Sequence, residues 1–146
     1  YFVQDGVIPR TKLVSVLKEM NALSKKYGYR VANVFHAGDG NLHPLILYDN
    51  SIPGAFKQVE ELGGEILKLC VMAGGSISGE HGIGSDKACY MPDMFTDADL
   101  ETMQYVRQAF NPRNLANPGK IFPTPRTCGE SVNQQNIKQL KDVELF

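Results

Sequence analysis

All three histidines of the chain lie in two short glycine-rich stretches. The first runs from His36 to His43 and reads His-Ala-Gly-Asp-Gly-Asn-Leu-His. The second begins at Ser78, reads Ser-Gly-Glu-His-Gly-Ile-Gly, and places Glu80 next to His81. Imidazole and carboxylate groups are common ligands of divalent metals, and imidazole is also the most frequent general base. These residue types therefore allow a metal site, acid–base chemistry, or both.

The first stretch is expected to form the turn of a β-hairpin. Residues 30–36 and 43–49 are rich in Val, Phe, Leu and Ile, and the loop between them contains two glycines, an Asp and an Asn. If the two strands pair, His36 and His43 face each other across the turn with Cβ atoms about 5 Å apart. Two imidazoles so placed can reach one divalent ion at about 2.1 Å, and Glu80 is the candidate third ligand.

The same residues also have plainer interpretations. Two histidines on a hairpin are often only polar surface, and a Gly-Asp-Gly-Asn loop is by default a turn of residues that tolerate positive φ. Asp39 is interpreted as a turn residue or a neighbour of the ligands, and Lys87 as a surface charge. Neither stretch has the glycine order of a dinucleotide fingerprint or a Walker lysine pattern. Spacing alone leaves metal binding and polar surface as alternatives.

Three helices are expected to position these stretches. An apolar stripe at three- and four-residue steps predicts a helix over residues 10–28. A second helix is predicted over about 54–73, where two glycines end it, and a third over 97–110 with Thr96 as N-cap. Residues 85–91 are expected to contain one helical turn. The members of the first stripe are Leu13, Leu17, Met20, Leu23 and Tyr27.

Length and composition indicate an ordinary globular domain. The chain has 146 residues, and its fifteen basic side chains nearly balance sixteen acidic ones, which gives no electrostatic reason to expect nucleic-acid binding. No apolar run approaches the roughly 20 residues of a membrane span. The odd number and wide spacing of the cysteines predict reduced thiols in a cytoplasmic protein.

A third motif, added to the two histidine stretches, produces a resemblance to a known family. From Asn114 to Pro123 the sequence reads Asn-Leu-Ala-Asn-Pro-Gly-Lys-Ile-Phe-Pro. In their order and spacing the three motifs resemble the C-terminal domain of FAD-linked oxidases, of the glycolate oxidase flavoprotein and bacterial D-lactate dehydrogenase type. The likeness covers roughly residues 1–125. Any one of the motifs alone would be weak, but together they are specific.

The resemblance implies a role for each motif. His36, His43 and Glu80 would hold a divalent metal, with zinc, manganese and iron as the candidates. His81 would be the general base that takes the hydroxyl proton of the substrate. Asn117 lies in the segment that, in relatives, runs back toward the flavin, so it is the candidate cofactor-binding residue.

The resemblance also implies an activity, the FAD-dependent oxidation of a 2-hydroxy acid to a 2-oxo acid. The flavin-binding domain that precedes this segment in relatives is missing, so the isolated chain is expected to carry no FAD and to be inactive. Relatives that handle hydroxy-dicarboxylates tend to have a lysine where this chain has Val3, two residues before Asp5, which favours glycolate or lactate. The alternatives are D-lactate or 2-hydroxyglutarate oxidation, and a metal-binding or interaction module without redox chemistry.

The expected fold class is α+β, an antiparallel sheet with helices packed on one face, forming part of a ferredoxin-like cap domain. Residues 1–125 would be an incomplete substrate and metal domain, and residues 126–146 a tail. Exposed sheet edges would favour dimerisation or aggregation. The implied partners are a small 2-hydroxy acid, the FAD-binding domain and iron–sulfur subunits of a glycolate oxidase complex. Through such subunits a cytoplasmic protein could sit peripherally at a membrane.

Overall fold

The computed structural model describes residues 1–122, which form parts of two compact units that divide between Gly82 and Ile83. The first unit combines an antiparallel sheet with two long helices, and residues 83–122 of the second contain helices. The predicted α+β class is therefore confirmed. The expected tail, residues 126–146, lies outside the described residues.

The sheet of the first unit is built around one central strand. Its strands are β1 (Phe2–Val3), β2 (Gly6–Val7), β3 (Arg30–His36) and β4 (Asn41–Leu47). β4 pairs with β3 along one side and with β1 and β2, one after the other, along its other side. The bounds predicted for β3 are confirmed. The two-residue strands β1 and β2 were not predicted, because strands so short carry no readable alternation.

The register of the hairpin differs from the sequence prediction. β4 begins at Asn41 rather than at residue 43, so His36 pairs with Asn41, and His43 pairs with Val34. His36 and His43 are therefore diagonal neighbours on one face, not directly opposed. The chain reverses early because the carbonyl of His36 accepts hydrogen bonds from the backbone N–H groups of Asp39 and Gly40, both at 3.0 Å. Gly40 closes this turn at φ +75°, a value that favours glycine.

Two helices pack against one face of this sheet. They are α1 (Leu13–Tyr27), preceded by a 3-10 turn at Arg10–Lys12, and α2 (Ala55–Met72). Met20 of the predicted stripe is buried, and its other four members pack partly buried against the same core. The sheet supplies Leu42 and Ile46 of β4 to that core. The alternation along β4 then directs Asn41 and His43 to the opposite face.

The first helical element of the second unit is a 3-10 turn at Ala88–Tyr90, which lies within residues 85–91, where one helical turn was predicted. It continues with α3 (Met91–Met94) and α4 (Asp97–Phe110). The bounds predicted for α4 are confirmed, whereas α3 was not predicted as a separate helix. Lys87 is only 6% exposed, so its interpretation as a surface charge is wrong. Its burial arises from packing that no local pattern signals.

Two further sequence predictions concern the cysteines and membrane spans. Cys70 is a fully buried thiol, as the prediction of reduced thiols requires at this position. Among residues 1–122, none of the helices combines the length and the apolar character that crossing a membrane would require.

The start of α4 provides a test of local stability. Thr96 Oγ1 accepts a hydrogen bond from Asp99 N at 3.2 Å, while the Asp99 carboxylate accepts from Thr96 N at 3.0 Å and from Thr96 Oγ1 at 2.7 Å. Thr96→Ala is expected to lower the free energy of unfolding by about 1 kcal/mol, as loss of an N-cap usually does. Urea unfolding followed by helical circular dichroism measures the change.

Thr102→Ala is the matched control, because its hydroxyl only donates to the Ala98 carbonyl within the same helix. The hydrogen bonds from Thr96 lower the pKa of Asp99 below 3.8. The contribution of this carboxylate is therefore present above that pH and is lost as the pH falls through the lowered value. Equal losses for the two threonine variants would contradict the capping role.

Candidate metal centre

Two strands and one turn of the first unit bring the candidate ligands together. His36 ends β3 and His43 lies in β4, on the face of the sheet opposite the helices. After α2, the chain returns beside β2, where Ser76 and Val7 exchange two backbone hydrogen bonds of 2.9 Å. The turn that carries Glu80 follows directly and reaches the same face of the sheet.

The side chains of His36, His43 and Glu80 converge. The Nε2 atom of His36 is 3.4 Å from Glu80 Oε1, and the Nε2 atom of His43 is 3.5 Å from Glu80 Oε2. One ligand atom from each residue lies within 4.8 Å of the other two. Two ligands that are each about 2.1 Å from a tetrahedral ion are themselves about 3.4 Å apart. The spacing and chemistry of this donor set therefore fit a divalent cation.

The candidate centre is open on one side. The side chains of His36 and Glu80 are 56% and 52% exposed, whereas that of His43 is 10% exposed. Two imidazoles and one carboxylate leave coordination positions for water or substrate, as in catalytic rather than structural zinc sites. The arrangement could thus bind a small oxygen ligand as well as an ion.

His81 lies beside this group rather than in it. Its ring stacks on that of His43, with centroids 5.0 Å apart and planes inclined by 24°. By contrast, the rings of His36 and His43 meet edge to face, at 5.5 Å and 88°. His81 is exposed, so its imidazole is accessible to a molecule bound at the open side.

Asp5 is the residue of this region whose role the sequence prediction missed. It is fully buried, and its Oδ2 accepts hydrogen bonds from the N–H groups of Gly79, Glu80 and His81 at 3.0, 3.1 and 2.9 Å. The hydroxyl of Ser78 donates to the same oxygen at 2.8 Å. The only available signal was an acidic residue among apolar neighbours near the start of the chain.

The remaining predicted residues have different surroundings. Asp39 is an exposed residue of the hairpin turn and is not one of the three converging side chains, in keeping with its interpretation as a turn residue. Asn117 belongs to the second unit, where it has φ +44° and its carbonyl accepts a hydrogen bond from Arg107 at 2.8 Å. Its contact with a flavin stays a prediction.

Gly79 permits the close approach of the Glu80 turn to the sheet. A Cβ atom on Gly79 would lie 2.6 Å from Cγ2 of Val7 and 2.8 Å from Oδ1 of Asn41, closer than real Cβ contacts. Gly79→Ala is therefore expected to displace the turn and to weaken zinc binding by about tenfold or more, as loss of a group that supports metal ligands does. Calorimetric titration of the chain with zinc measures this.

Gly38→Ala is the control for Gly79→Ala. Gly38 lies in the hairpin turn between the two histidines, and nothing lies within 4 Å of a Cβ placed on it. Its replacement should leave the zinc affinity within about twofold of the original, since it disturbs no ligand contact. If both variants bind zinc like the unchanged chain, the fit of Gly79 has no part in forming the centre.

The first unit is thus an α+β unit that brings two histidines and a glutamate together at an open sheet face. Residues 1–121 match the family model of the FAD linked oxidases, C-terminal domain. The chain belongs to this family, which confirms the resemblance found in its motifs.

Individual relatives agree with this assignment. The chain is 55% identical over 130 residues to glycolate oxidase subunit GlcD of Escherichia coli strain K12, a match that covers 89% of the chain and 26% of the relative. It is 36% identical over 120 residues to glycolate oxidase subunit GlcD of Bacillus subtilis, covering 82% of the chain and 26% of the relative. It is 37% identical over 121 residues to a D-lactate dehydrogenase of Archaeoglobus fulgidus, with the same coverage. The chain spans about a quarter of the length of these curated relatives.

Proposed function

We propose that this chain is the metal-binding and proton-accepting part of an FAD-dependent 2-hydroxy-acid dehydrogenase. The observation that carries the proposal is the convergence of His36, His43 and Glu80 beside His81, in a chain 55% identical to a glycolate oxidase subunit. The reaction would convert a small 2-hydroxy acid such as glycolate into the corresponding 2-oxo acid.

His36, His43 and Glu80 would hold the cation, for which zinc, manganese and iron are the candidates. Two nitrogen ligands and one carboxylate suit each of these ions. When bound, the cation supplies a Lewis acid for the substrate oxygens, and FAD supplies the acceptor for the C2 hydride. The exposed side of the ligand group would receive the carboxylate and hydroxyl oxygens of the substrate.

His81 would accept the proton of the substrate hydroxyl on its imidazole. Its ring is exposed and stacks on that of His43, so His81 lies next to the ligand group without being one of the ligands. A general base must reach the proton that it removes, and a side chain beside the ligand group can do so. Its backbone N–H is held by Asp5, which limits the movement of the turn that carries it.

Val3 supports a small monocarboxylate as the substrate. It lies in β1 two residues before Asp5 and therefore points to the same side of the sheet. An apolar side chain there offers no positive charge for a second carboxylate, unlike the lysine of relatives that handle hydroxy-dicarboxylates. The substrate is thus glycolate or lactate rather than 2-hydroxyglutarate. D-lactate is the second candidate, because a D-lactate dehydrogenase matches the same part of the chain.

The proposed partners follow from the relatives. Those named glycolate oxidase subunits act, by their name, with other subunits, and we propose iron–sulfur subunits as the electron acceptors of the complete enzyme. The FAD-binding domain of the same enzyme would supply most flavin contacts, and Asn117 one further contact. We place the complete enzyme in the cytoplasm, bound peripherally at a membrane through its partner subunits.

A substrate panel tests the proposed function. The gene from which this chain derives, expressed in full, is assayed with glycolate, D-lactate, L-lactate and D-2-hydroxyglutarate and a dye as electron acceptor. Glycolate or D-lactate should reduce the dye fastest, and D-2-hydroxyglutarate slowest. A protein that binds zinc at this centre but reduces no dye with any hydroxy acid would instead be a metal-binding module without redox chemistry.

A further inference from the structure

We propose that Asp5 is a positioning residue that organises the metal centre from beneath, with one carboxylate oxygen holding the Glu80–His81 turn and the other orienting His43. The inference rests on the proposed function in one respect, since it takes His43 as a metal ligand. Its other part, the hold on the turn, concerns the protein without metal.

The sheet aligns Asp5 with His43. Val3 pairs with Leu45 and Gly6 pairs with Leu42, and the same register places Asp5, the residue next to Gly6, opposite His43 on β4. Side chains aligned across antiparallel strands point to the same face. The Asp5 carboxylate consequently lies next to His43, with Oδ1 4.0 Å from Nδ1, on the side of the sheet that carries the ligand group.

Oδ2 of Asp5 is the hydrogen-bond acceptor that shapes the turn. The backbone N–H groups of Gly79, Glu80 and His81 all donate to it, at 2.9 to 3.1 Å. Successive N–H groups that point at one anion form a nest, an arrangement otherwise used to bind phosphate or sulfate. Here the anion is part of the chain, so the backbone that carries Glu80 and His81 is fixed before any ligand arrives.

Burial makes this arrangement difficult to alter. Asp5 is completely buried, and a buried charge is tolerated only when hydrogen bonds or opposite charges compensate it. Three N–H groups and the hydroxyl of Ser78 provide this compensation. An amide in place of the carboxylate would direct an N–H2 group either at those donors or at His43, and would lose the charge at the centre of the nest.

Oδ1 of Asp5 accepts one longer hydrogen bond from the turn, from Glu80 N at 3.3 Å, and faces the nitrogen of His43 that does not face the ligand group. His43 Nε2 is directed at Glu80, whereas His43 Nδ1 is 4.0 Å from Asp5 Oδ1. Nδ1 is buried and has no hydrogen-bond partner among residues 1–122. A neutral imidazole that binds a metal through Nε2 carries its proton on Nδ1, and this proton is usually donated to a carboxylate or carbonyl. A shift of about 1 Å would make Asp5 that acceptor.

A purely structural role for Asp5 would be limited to the turn. In that case Asp5 would hold Ser78–His81 in place, and the position of the proton on the His43 ring would not depend on Asp5. The two roles differ in what they predict for the His43 tautomer and for metal affinity, so both can be measured on the 146-residue chain.

The test compares the unchanged chain with Asp5→Asn. Zinc affinity from competition with a chromophoric chelator should fall about 10- to 100-fold, the usual effect of removing a group that orients a metal ligand. In the metal-free protein, exchange of the amides of Gly79, Glu80 and His81 should accelerate by about tenfold or more, because local opening becomes easier. Nitrogen-15 shifts of the His43 ring should show Nδ1–H in the unchanged chain and a tautomer mixture in Asp5→Asn.

Val59→Ala is the matched control for general destabilisation. Val59 lies on α2 and is buried in the hydrophobic core, on the face of the sheet opposite the ligand group. Its truncation therefore lowers stability without removing a contact of the centre. Its zinc affinity should stay within about twofold of the original, as expected for independent sites. An equal loss of zinc affinity in both variants would overturn the positioning role.

The outcomes separate this inference from the proposed function. If the unchanged chain binds no zinc, the proposed metal centre fails, while amide exchange and the His43 tautomer still decide the role of Asp5. If it binds zinc and Asp5→Asn binds equally well, the inference fails alone. If Asp5→Asn does not fold, the same measurements on the unchanged chain decide the question. Nδ1–H on His43 together with slow amide exchange at Gly79–His81 supports the inference, and Nε2–H on His43 overturns it.

Discussion

Glu80→Ala is expected to remove zinc binding from the chain, with an affinity lowered by more than the 10- to 100-fold that loss of a supporting group costs. The reason is that the Glu80 carboxylate contacts both histidines, with Oε1 near His36 and Oε2 near His43. Without it, two imidazoles remain on a sheet face, and a pair of ligands holds a divalent ion weakly. Zinc titration followed by metal analysis of the dialysed protein measures the loss.

Glu65→Ala is the control for this substitution. Glu65 is a glutamate on α2 whose ion pair with Lys68, at 3.8 Å, lies away from the ligand group, and it should keep the zinc affinity unchanged. His36→Ala should resemble Glu80→Ala, and the double variant should be little worse than either single variant, because both remove members of one ligand set. Stoichiometric zinc in Glu80→Ala would remove this glutamate from the centre.

In the complete enzyme, Glu80→Ala should raise KM as well as lower activity. The substrate oxygens would lose the cation that anchors them, so loss of the metal weakens binding as well as chemistry. A variant with normal metal content and normal KM would contradict the ligand assignment even if its kcat had fallen.

His81→Ala is expected to have the second large effect, a fall in kcat of about 10²- to 10⁴-fold in the complete enzyme, the usual contribution of a positioned general base. Metal content and KM should stay close to normal, because His81 lies outside the converging ligand group. The turn should also keep its shape, since the contact of His81 with Asp5 is made by the backbone N–H, which alanine retains.

The stacking of His81 on His43 requires one further control. Loss of the ring could alter His43 and so reduce activity indirectly. Zinc affinity of His81→Ala, measured in the 146-residue chain, separates the two effects. An unchanged affinity with a large fall in kcat assigns the loss to proton transfer, whereas near-normal turnover would remove His81 from the mechanism.

Local signals in the sequence determined several parts of this protein. The apolar run at 30–36 predicted β3, and Thr96 with Asp99 marked the start of α4, because strand alternation and helix capping act between residues a few positions apart. The two histidine stretches and the motif beginning at Asn114 identified the family, since their order and spacing are properties of the sequence itself.

Tertiary structure alone decided how the candidate centre is built. The turn at Gly40 shifted the start of β4 to Asn41 and made His36 and His43 diagonal neighbours, because hydrogen bonding closed the loop earlier than its composition suggested. The meeting of both histidines with Glu80 had been proposed from spacing and resemblance, but its geometry depends on how α2 returns the chain to β2.

The role of Asp5 depends entirely on contacts between distant segments. Asp5 is 76 residues from His81 in the chain, yet its carboxylate holds the backbone of that residue and faces the ring of His43. No periodicity or turn pattern spans such a separation, because those patterns arise from interactions within one helix, strand or loop. Contacts of this kind form only when the sheet register brings distant segments together, and so the residue beneath the centre became visible only in the folded chain.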